Sequence, residues 1–294
     1  MVLRLLLIAA GLFSGLQMAL AAPWELPTGV KTLTVNGYPM AYRELGSGET
    51  VVLVHGAGTD YRTWNALLES PPAGFRLVAV SRRHYYPERW DGKGGQFSTK
   101  QHVEDLAAFI EALGAGPVHL VGHSLGGTIA VRMAQARPEL VKKLVLMEGA
   151  FNALLPPKKP GEGGISLLAI RKEVQARFEQ GDIDGGLEVW VDRDRPGIWK
   201  RRSEPARQRA RDNAWTLVSP AGPGAVTCPD VAGLAMPVLL MQGEKTMPRF
   251  ARIVEATRKC LPSAEHVMIP EAGHAMQVMN PAGFQAALFT FLKK

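Results

Sequence analysis

The pentapeptide Gly122-His123-Ser124-Leu125-Gly126 follows the apolar run 118–121 and leads into a helical pattern at residues 126–137. A G-x-S-x-G motif between a strand and a helix is typical of a nucleophile elbow, the sharp turn that presents a serine hydroxyl. Glycines two positions before and after the serine leave the space that such a turn needs. We therefore predict that Ser124 is a nucleophile at the carboxyl end of a strand.

Short apolar runs alternate with helical patterns on both sides of this motif. The first two runs flank Asn36-Gly37, a pair typical of a β-hairpin. Alternation of this kind predicts a mostly parallel, eight-stranded α/β sheet covered by helices. The predicted strands are residues 31–36, 40–45, 51–54, 77–80, 118–121, 144–147, 238–241 and 266–269, and the predicted helices are residues 101–113, 126–137, 249–261 and 281–292.

The alternation of strands stops between residues 151 and 234. A stretch rich in Pro and Lys at 156–164 leads there into a helical pattern at 165–180. We therefore predict a helical lid at 151–234, inserted between strands 6 and 7 of an α/β core formed by residues 22–150 and 235–294. Ligands of open α/β sheets bind at the carboxyl ends of the strands, so we expect the lid to shape the pocket.

The amino-terminal residues have the pattern of an export signal. Arg4 precedes an apolar stretch, and Ala19-Leu20-Ala21 is a small-x-small cleavage site. We predict a signal peptide at residues 1–21 and a bacterial protein that is periplasmic or secreted, with no stable membrane insertion after cleavage. An uncleaved membrane anchor is the alternative, because the apolar stretch approaches the length of a spanning helix.

The chain contains two cysteines, Cys228 and Cys260, and each precedes a predicted strand of the sheet. Both are therefore expected near the amino-terminal edge of neighbouring strands. Export would place them in an oxidising compartment, where such a pair forms a disulfide without penalty. We predict a Cys228–Cys260 disulfide, with two buried free thiols as the alternative.

The formal net charge is +7, and much of the basic excess lies between Lys158 and Arg211. A solvated basic face explains this excess, and an affinity for anionic substrates or envelope surfaces is the alternative. Neither interleaved aromatics nor a known motif accompanies the basic residues, so we expect no nucleic-acid partner. The sequence also has no P-loop and no cluster with metal-ligand spacing, so we expect neither a metal nor an organic cofactor.

With the elbow motif, two further segments make the chain resemble the α/β-hydrolase superfamily over nearly everything after the signal peptide. The segment His55-Gly56-Ala57-Gly58 resembles the oxyanion loop of that family. The resemblance implies that the backbone N–H groups of Ala57 and Leu125 stabilise an oxyanion, while His55 only holds the loop. Residues 269–274 resemble the loop that carries the catalytic histidine, which implies that His274 is the general base.

The third member of the implied triad departs from the common family pattern. Many members carry an aspartate after strand 7, but Thr246 occupies that place here, and threonine cannot carry the charge that opposes an imidazolium. In a minority of the superfamily the acid follows strand 6, and that resemblance implies Glu148 as the acid of an esterase-like serine hydrolase. Glu244 is the alternative acid.

A serine at the elbow implies attack on an acyl carbon. We expect a carboxylesterase-like serine hydrolase that cleaves a small-molecule ester or lactone through an acyl-enzyme on Ser124. The alternatives are a carbon–carbon bond hydrolase or a cofactor-free perhydrolase with the same triad, or a non-catalytic ligand-binding protein on this scaffold. We predict that Trp64, Tyr85 and Met276 line the acyl pocket, with core packing as the alternative. The oligomeric state stays open.

Overall fold

The computed structural model describes residues 23–157, 166–193, 196–219 and 224–294. The predicted signal peptide lies outside the described residues. Within the described ranges, no helix has both the length and the apolar character that crossing a membrane requires.

The eight predicted strands are all present in the described part of the chain, in one sheet of order β1-β2-β4-β3-β5-β6-β7-β8. β2 pairs antiparallel with β1 and with β4. All the other neighbouring strands pair in parallel, namely β4 with β3, β3 with β5, β5 with β6, β6 with β7 and β7 with β8. The prediction of a mostly parallel eight-stranded α/β sheet is therefore confirmed. The strands are Val30–Val35 (β1), Tyr38–Gly46 (β2), Glu49–Val54 (β3), Phe75–Val80 (β4), Val118–His123 (β5), Val141–Met147 (β6), Val238–Gly243 (β7) and Glu265–Ile269 (β8).

The α-helices of the described ranges fall into those that cover the sheet and those inserted between β6 and β7. They are Asn65–Leu68 (α1), Thr99–Ala112 (α2), Leu125–Ala136 (α3), Leu167–Glu179 (α4), Ile183–Asp192 (α5), Ile198–Arg201 (α6), Glu204–Asp212 (α7), Cys228–Ala232 (α8), Pro248–Cys260 (α9), Met276–Met279 (α10) and Pro281–Leu292 (α11).

The sheet is apolar on both faces because its central strands are covered by helices on both sides. Successive side chains of a strand point to opposite faces. Accordingly, Val52 and Val54 belong to the cluster that packs against α2, α3 and α9, whereas Val51 and Leu53 belong to the cluster that packs against α1 and α11. The carboxyl ends of β3, β5, β6 and β7 are thereby fixed side by side.

The segment between β6 and β7 is helical and has an apolar cluster of its own, which includes Val174, Phe178 and Leu187. The last helix of the segment, α8, packs differently, because its Val231 belongs to the cluster between the sheet and α3. The segment therefore leaves the sheet after β6 and rejoins it at α8.

A disulfide joins Cys228 at the start of α8 to Cys260 at the end of α9. The two cysteines are 32 positions apart, so the bond closes a loop of that length in the unfolded chain. Chain-entropy arguments give such a cross-link about 3 to 4 kcal/mol of stability.

We expect the double variant Cys228→Ser/Cys260→Ser to lose this much of the free energy of unfolding, because its unfolded chain regains the freedom of the loop. Urea denaturation with and without a reductant measures the effect. Reductant should destabilise the wild type and leave the double variant unchanged. An equal free energy of unfolding for the two proteins would contradict the prediction.

Candidate active site

Ser124 forms the turn between β5 and α3, with a φ of 53° and a ψ of −117°. Non-glycine residues rarely adopt a positive φ, so the surrounding packing must impose this conformation. A Cβ on Gly126 would lie 2.4 Å from the carbonyl oxygen of Val54, and one on Gly122 would lie 2.7 Å from that of Gly126. Gly126 therefore lets the turn pack directly against the end of β3, and Gly122 lets the start of α3 pack against the end of β5.

The loop after β3 lies against this turn. A Cβ on Gly56 would lie 3.2 Å from the Cβ of Ser124. Ala57 and Leu125 line the same cavity as Ser124, and neither backbone N–H donates a hydrogen bond to a described group. The N–H of Leu125 is one of the first-turn donors that a helix leaves without a partner. The structure thus places both predicted oxyanion donors at the cavity that contains the serine.

His55 holds the loop after β3 in place through hydrogen bonds to the backbone. Its side chain is fully buried, its Nδ1 lies 2.8 Å from the carbonyl oxygen of Gly56, and its Nε2 accepts the backbone N–H of Arg82 at 3.1 Å. Burial, with the nearby Arg82 charge adding to it, lowers the pKa of His55 well below its ordinary value. His55 is therefore neutral and buried, which suits a structural role and not that of a general base.

The structure brings His274 and Glu148 together. The Nδ1 of His274 lies 2.6 Å from the Oε2 of Glu148, which follows β6 and is fully buried. The carboxylate also accepts the backbone N–H of Gly243 on Oε1 at 2.8 Å and the hydroxyl of Thr246 on Oε2 at 2.7 Å. A buried carboxylate needs such partners. The bond at Nδ1 leaves Nε2 as the ring nitrogen that can exchange a proton with a substrate or nucleophile.

Thr246 occupies the position after β7 where the resemblance implies an aspartate in many relatives, and its hydroxyl donates a hydrogen bond to Glu148 instead. The second candidate acid, Glu244, is exposed and accepts the backbone N–H of Glu271 at 2.8 Å. Of the two candidates, Glu148 is therefore the one hydrogen-bonded to His274. The donor role of Thr246 was missed from the sequence, because only the fold brings it to a carboxylate 98 positions away.

We expect Thr246→Val to lower kcat about tenfold to a hundredfold. The change keeps the volume but removes one donor from a buried carboxylate, and hydrogen bonds to charged groups contribute roughly 1.5 to 3 kcal/mol. Steady-state kinetics of the ester hydrolysis predicted from the sequence, with Thr246→Ser as the variant that keeps the hydroxyl, measures the effect. Equal kcat values for the two variants would show that the hydroxyl has no part in positioning Glu148.

Two aromatic side chains fix the ring and loop of His274. Phe250 of α9 stacks on the imidazole, with 3.7 Å between ring centroids and 11° between planes. His123 donates from Nε2 to the backbone oxygen of His274 at 2.9 Å. Burial and then the neighbouring His274 lower the pKa of His123 to about 3, so this second imidazole stays neutral. No pattern in the sequence indicated that Phe250 belongs to the site.

Ser124 and His274 line one cavity of about 730 Å³. The hydroxyl of Ser124 makes no hydrogen bond to His274 or to any other group in the described ranges. Hydrogen bonds between catalytic groups are often long or misaligned before a substrate binds. A serine hydroxyl reorients by rotation about a single bond, so the two groups share a site without being bonded in this state.

The helical segment between β6 and β7 contributes many of the residues that line the cavity. Its apolar contributions include Leu167, Trp190, Ile198 and Leu217, and α9 and its preceding loop add Met247 and Phe250. No group of side chains suited to a metal ion occurs in the part of the chain that the structure describes.

The three side chains predicted to line the pocket lie elsewhere, and this expectation is corrected. Trp64 and Met276 are fully buried in the cluster that packs against α1 and α11, where Trp64 packs near Phe284. Tyr85 is also buried, with its ring 4.5 Å from that of His55. None of the three lines the cavity. Each follows a strand or loop near the site, but its side chain points into the core.

The chain matches a sequence model of the family described as the alpha/beta hydrolase family over residues 51–287. A Bacillus subtilis (strain 168) protein that carries the name 2-succinyl-6-hydroxy-2,4-cyclohexadiene-1-carboxylate synthase is 29% identical over 277 residues, which cover 90% of this chain and 98% of the relative.

Solved structures are similar at lower identity. A hydrolase from Pseudomonas aeruginosa PA01 has a TM-score of 0.74 at 21% identity, covering 91% of this chain and 99% of that one. A thermophilic esterase from Thermogutta terrifontis has a TM-score of 0.70 at 22% identity, covering 90% and 97%. At this identity the likeness concerns the fold.

Proposed function

The chain belongs to the alpha/beta hydrolase family, and from that premise we propose that it is a serine hydrolase that cleaves carboxylic esters or lactones through an acyl-enzyme on Ser124. The observation that supports this most is the 2.6 Å contact between His274 and the buried Glu148, because His274 lines the cavity that also contains the elbow serine. An oriented imidazole beside a strained serine is the arrangement that nucleophilic acyl transfer requires.

In the proposed reaction, Nε2 of His274 takes the hydroxyl proton as Ser124 Oγ attacks the carbonyl carbon. The N–H groups of Ala57 and Leu125 stabilise the oxyanion that forms. The imidazolium then protonates the leaving alcohol. A water molecule deprotonated by His274 next attacks the acyl-enzyme, and the imidazolium returns this proton to Ser124 Oγ as the acid is released. Glu148 holds the tautomer and balances the charge of the ring.

Labelling with a fluorophosphonate tests this proposal, because such probes phosphonylate a serine only when its hydroxyl is activated. We expect a covalent adduct at neutral pH that peptide mapping assigns to Ser124, and none in the Ser124→Ala variant. A panel of p-nitrophenyl esters of increasing chain length then measures turnover. Absence of an adduct on the folded wild type would overturn the proposal and favour a ligand-binding protein.

Export to the periplasm or the medium is proposed as well. The amino-terminal pattern of Arg4, an apolar stretch and Ala19-Leu20-Ala21 supports it, as does the disulfide between Cys228 and Cys260, since such bonds persist in oxidising compartments. Expression in a bacterium followed by fractionation and amino-terminal sequencing tests it. A mature chain that begins near Ala22 is expected, and uncleaved protein in the cytosolic fraction would refute export.

A further inference from the structure

The cavity that contains Ser124 is lined by basic side chains and, within the described ranges, by no carboxylate. The whole chain has 34 Lys and Arg against 27 Asp and Glu, so a surface of average composition would include acidic as well as basic side chains. The basic lining residues come from four places along the chain: α4, the segment around α5 and α6, the loop after β7, and α9. They are Arg171, Arg193, Arg201, Arg202, Lys245 and Arg249.

Several arginines outside the cavity pair with carboxylates. Arg62 contacts both Asp60 and Asp212 at 2.7 Å, and Arg211 contacts Asp184 at 2.6 Å. These side chains are therefore neutralised within the fold. Lys245 of the cavity is paired as well, with Glu271.

Two arginines of the cavity lack such a partner. Neither Arg171 nor Arg202 forms an ion pair or a side-chain hydrogen bond with a described group. Arg171 is half-buried, and its Nε is shielded from water and donates to no acceptor. The side chain of Arg202 is exposed. Burial also lowers the pKa of Arg171 from its ordinary value. An unpaired guanidinium that loses water is unfavourable unless a ligand supplies the counter-charge.

The remaining lining favours a substrate with an apolar part as well. Leu167 stands on the same helix as Arg171, and Ile198 stands on α6 shortly before Arg202. Guanidinium groups bind carboxylates through paired N–H donors, which gives orientation as well as attraction. Apolar walls with arginines and no acid are suited to an apolar chain that ends in an anion.

We propose that the substrate is an anionic ester, whose free carboxylate is held by Arg171 and Arg202 while its ester group lies at Ser124. This inference rests on the proposed function and adds the charge of the substrate to it. Of the two readings of the basic excess in the sequence, it selects the affinity for anionic substrates over a solvated face.

Two p-nitrophenyl esters with the same adipoyl chain test the proposal. Mono-p-nitrophenyl adipate carries a free carboxylate, and methyl p-nitrophenyl adipate replaces it with a neutral methyl ester. We expect the wild type to hydrolyse the anionic ester with a kcat/KM at least about tenfold above that of the neutral one, since a charged hydrogen bond accounts for about a tenfold change or more. Added NaCl should reduce this ratio by screening.

Variants assign the effect to residues. Arg171→Gln and Arg202→Gln should each lower the ratio of kcat/KM for the anionic ester to that for the neutral ester, by a factor of up to about ten. The loss should come chiefly from a higher KM for the anionic ester. The matched control is Arg177→Gln, which removes a charge from the same helix, where Arg177 pairs with Asp182 and does not line the cavity. This control should keep the wild-type ratio.

The outcomes separate the two proposals. If both esters are cleaved in a Ser124-dependent way but with equal kcat/KM, the anionic substrate is refuted and the hydrolase stands. A ratio that Arg171→Gln, Arg202→Gln and the double variant all leave unchanged also refutes it. If Ser124 takes up no fluorophosphonate and neither ester is cleaved, the proposed function itself fails.

Discussion

His274→Ala is expected to lower kcat for ester hydrolysis by about a million-fold, the scale seen when the histidine of a serine-protease triad is removed. The imidazole of His274 has its Nδ1 bonded to Glu148 and faces the cavity that contains Ser124. The neighbouring His123 cannot take over, because its pKa is about 3 and its Nε2 is committed to a backbone oxygen. Removal therefore leaves the serine without a base.

Initial rates with p-nitrophenyl butyrate measure this loss. The residual rate should reflect the oxyanion donors alone. The control is His266→Gln, because His266 is a half-buried histidine on β8 that does not line the cavity. It should leave kcat within a few-fold of the wild type. A His274→Ala enzyme that retained more than about a hundredth of the activity would contradict the assignment of the base.

Glu148→Gln is expected to lower kcat by about ten-thousand-fold, as the equivalent change does in a serine protease. The amide has nearly the same shape and can still accept the N–H of Gly243. It has no charge to balance an imidazolium, and its NH₂ group favours the tautomer with the proton on Nε2. Such a ring cannot take the proton of Ser124.

Glu244→Gln is the matched control, since it makes the same chemical change at the alternative acid. Its side chain contacts the backbone of Glu271 at the surface, so kcat should change less than about threefold, as surface substitutions usually have small effects. Measurement of kcat from pH 5 to pH 9 for both variants completes the comparison. A larger loss in Glu244→Gln than in Glu148→Gln would reverse the assignment of the acid.

The strands and the elbow were predictable because their signals are local. Short apolar runs separated by helical patterns defined the eight strands, and the spacing of Gly122, Ser124 and Gly126 defined the turn. The acid was reached by a longer route, because Thr246 replaces the common aspartate and the resemblance to family members whose acid follows strand 6 implied Glu148. The strands and the elbow need only local patterns, whereas the acid also needs that resemblance.

The direction of single side chains was not predictable in the same way. Trp64, Tyr85 and Met276 occur close in sequence to loops of the site, but a short helix or turn can direct a side chain to either face. The contact of Thr246 with Glu148 and the stacking of Phe250 on His274 depend on angstrom-scale placement of distant segments. Only three-dimensional packing determines them.

The helical segment between β6 and β7 is fastened close to each of its ends. At the first end, the N–H of Ala150 donates to the backbone oxygen of Ser124 at 3.0 Å, and at the other the sulfur of Cys228 is bonded to that of Cys260. The stretch between these two attachments can therefore be replaced as a unit without disturbing Ser124, His274 and Glu148. Recombination or design can exchange it for one of another length, and so alter which molecules enter while the reaction centre is inherited intact.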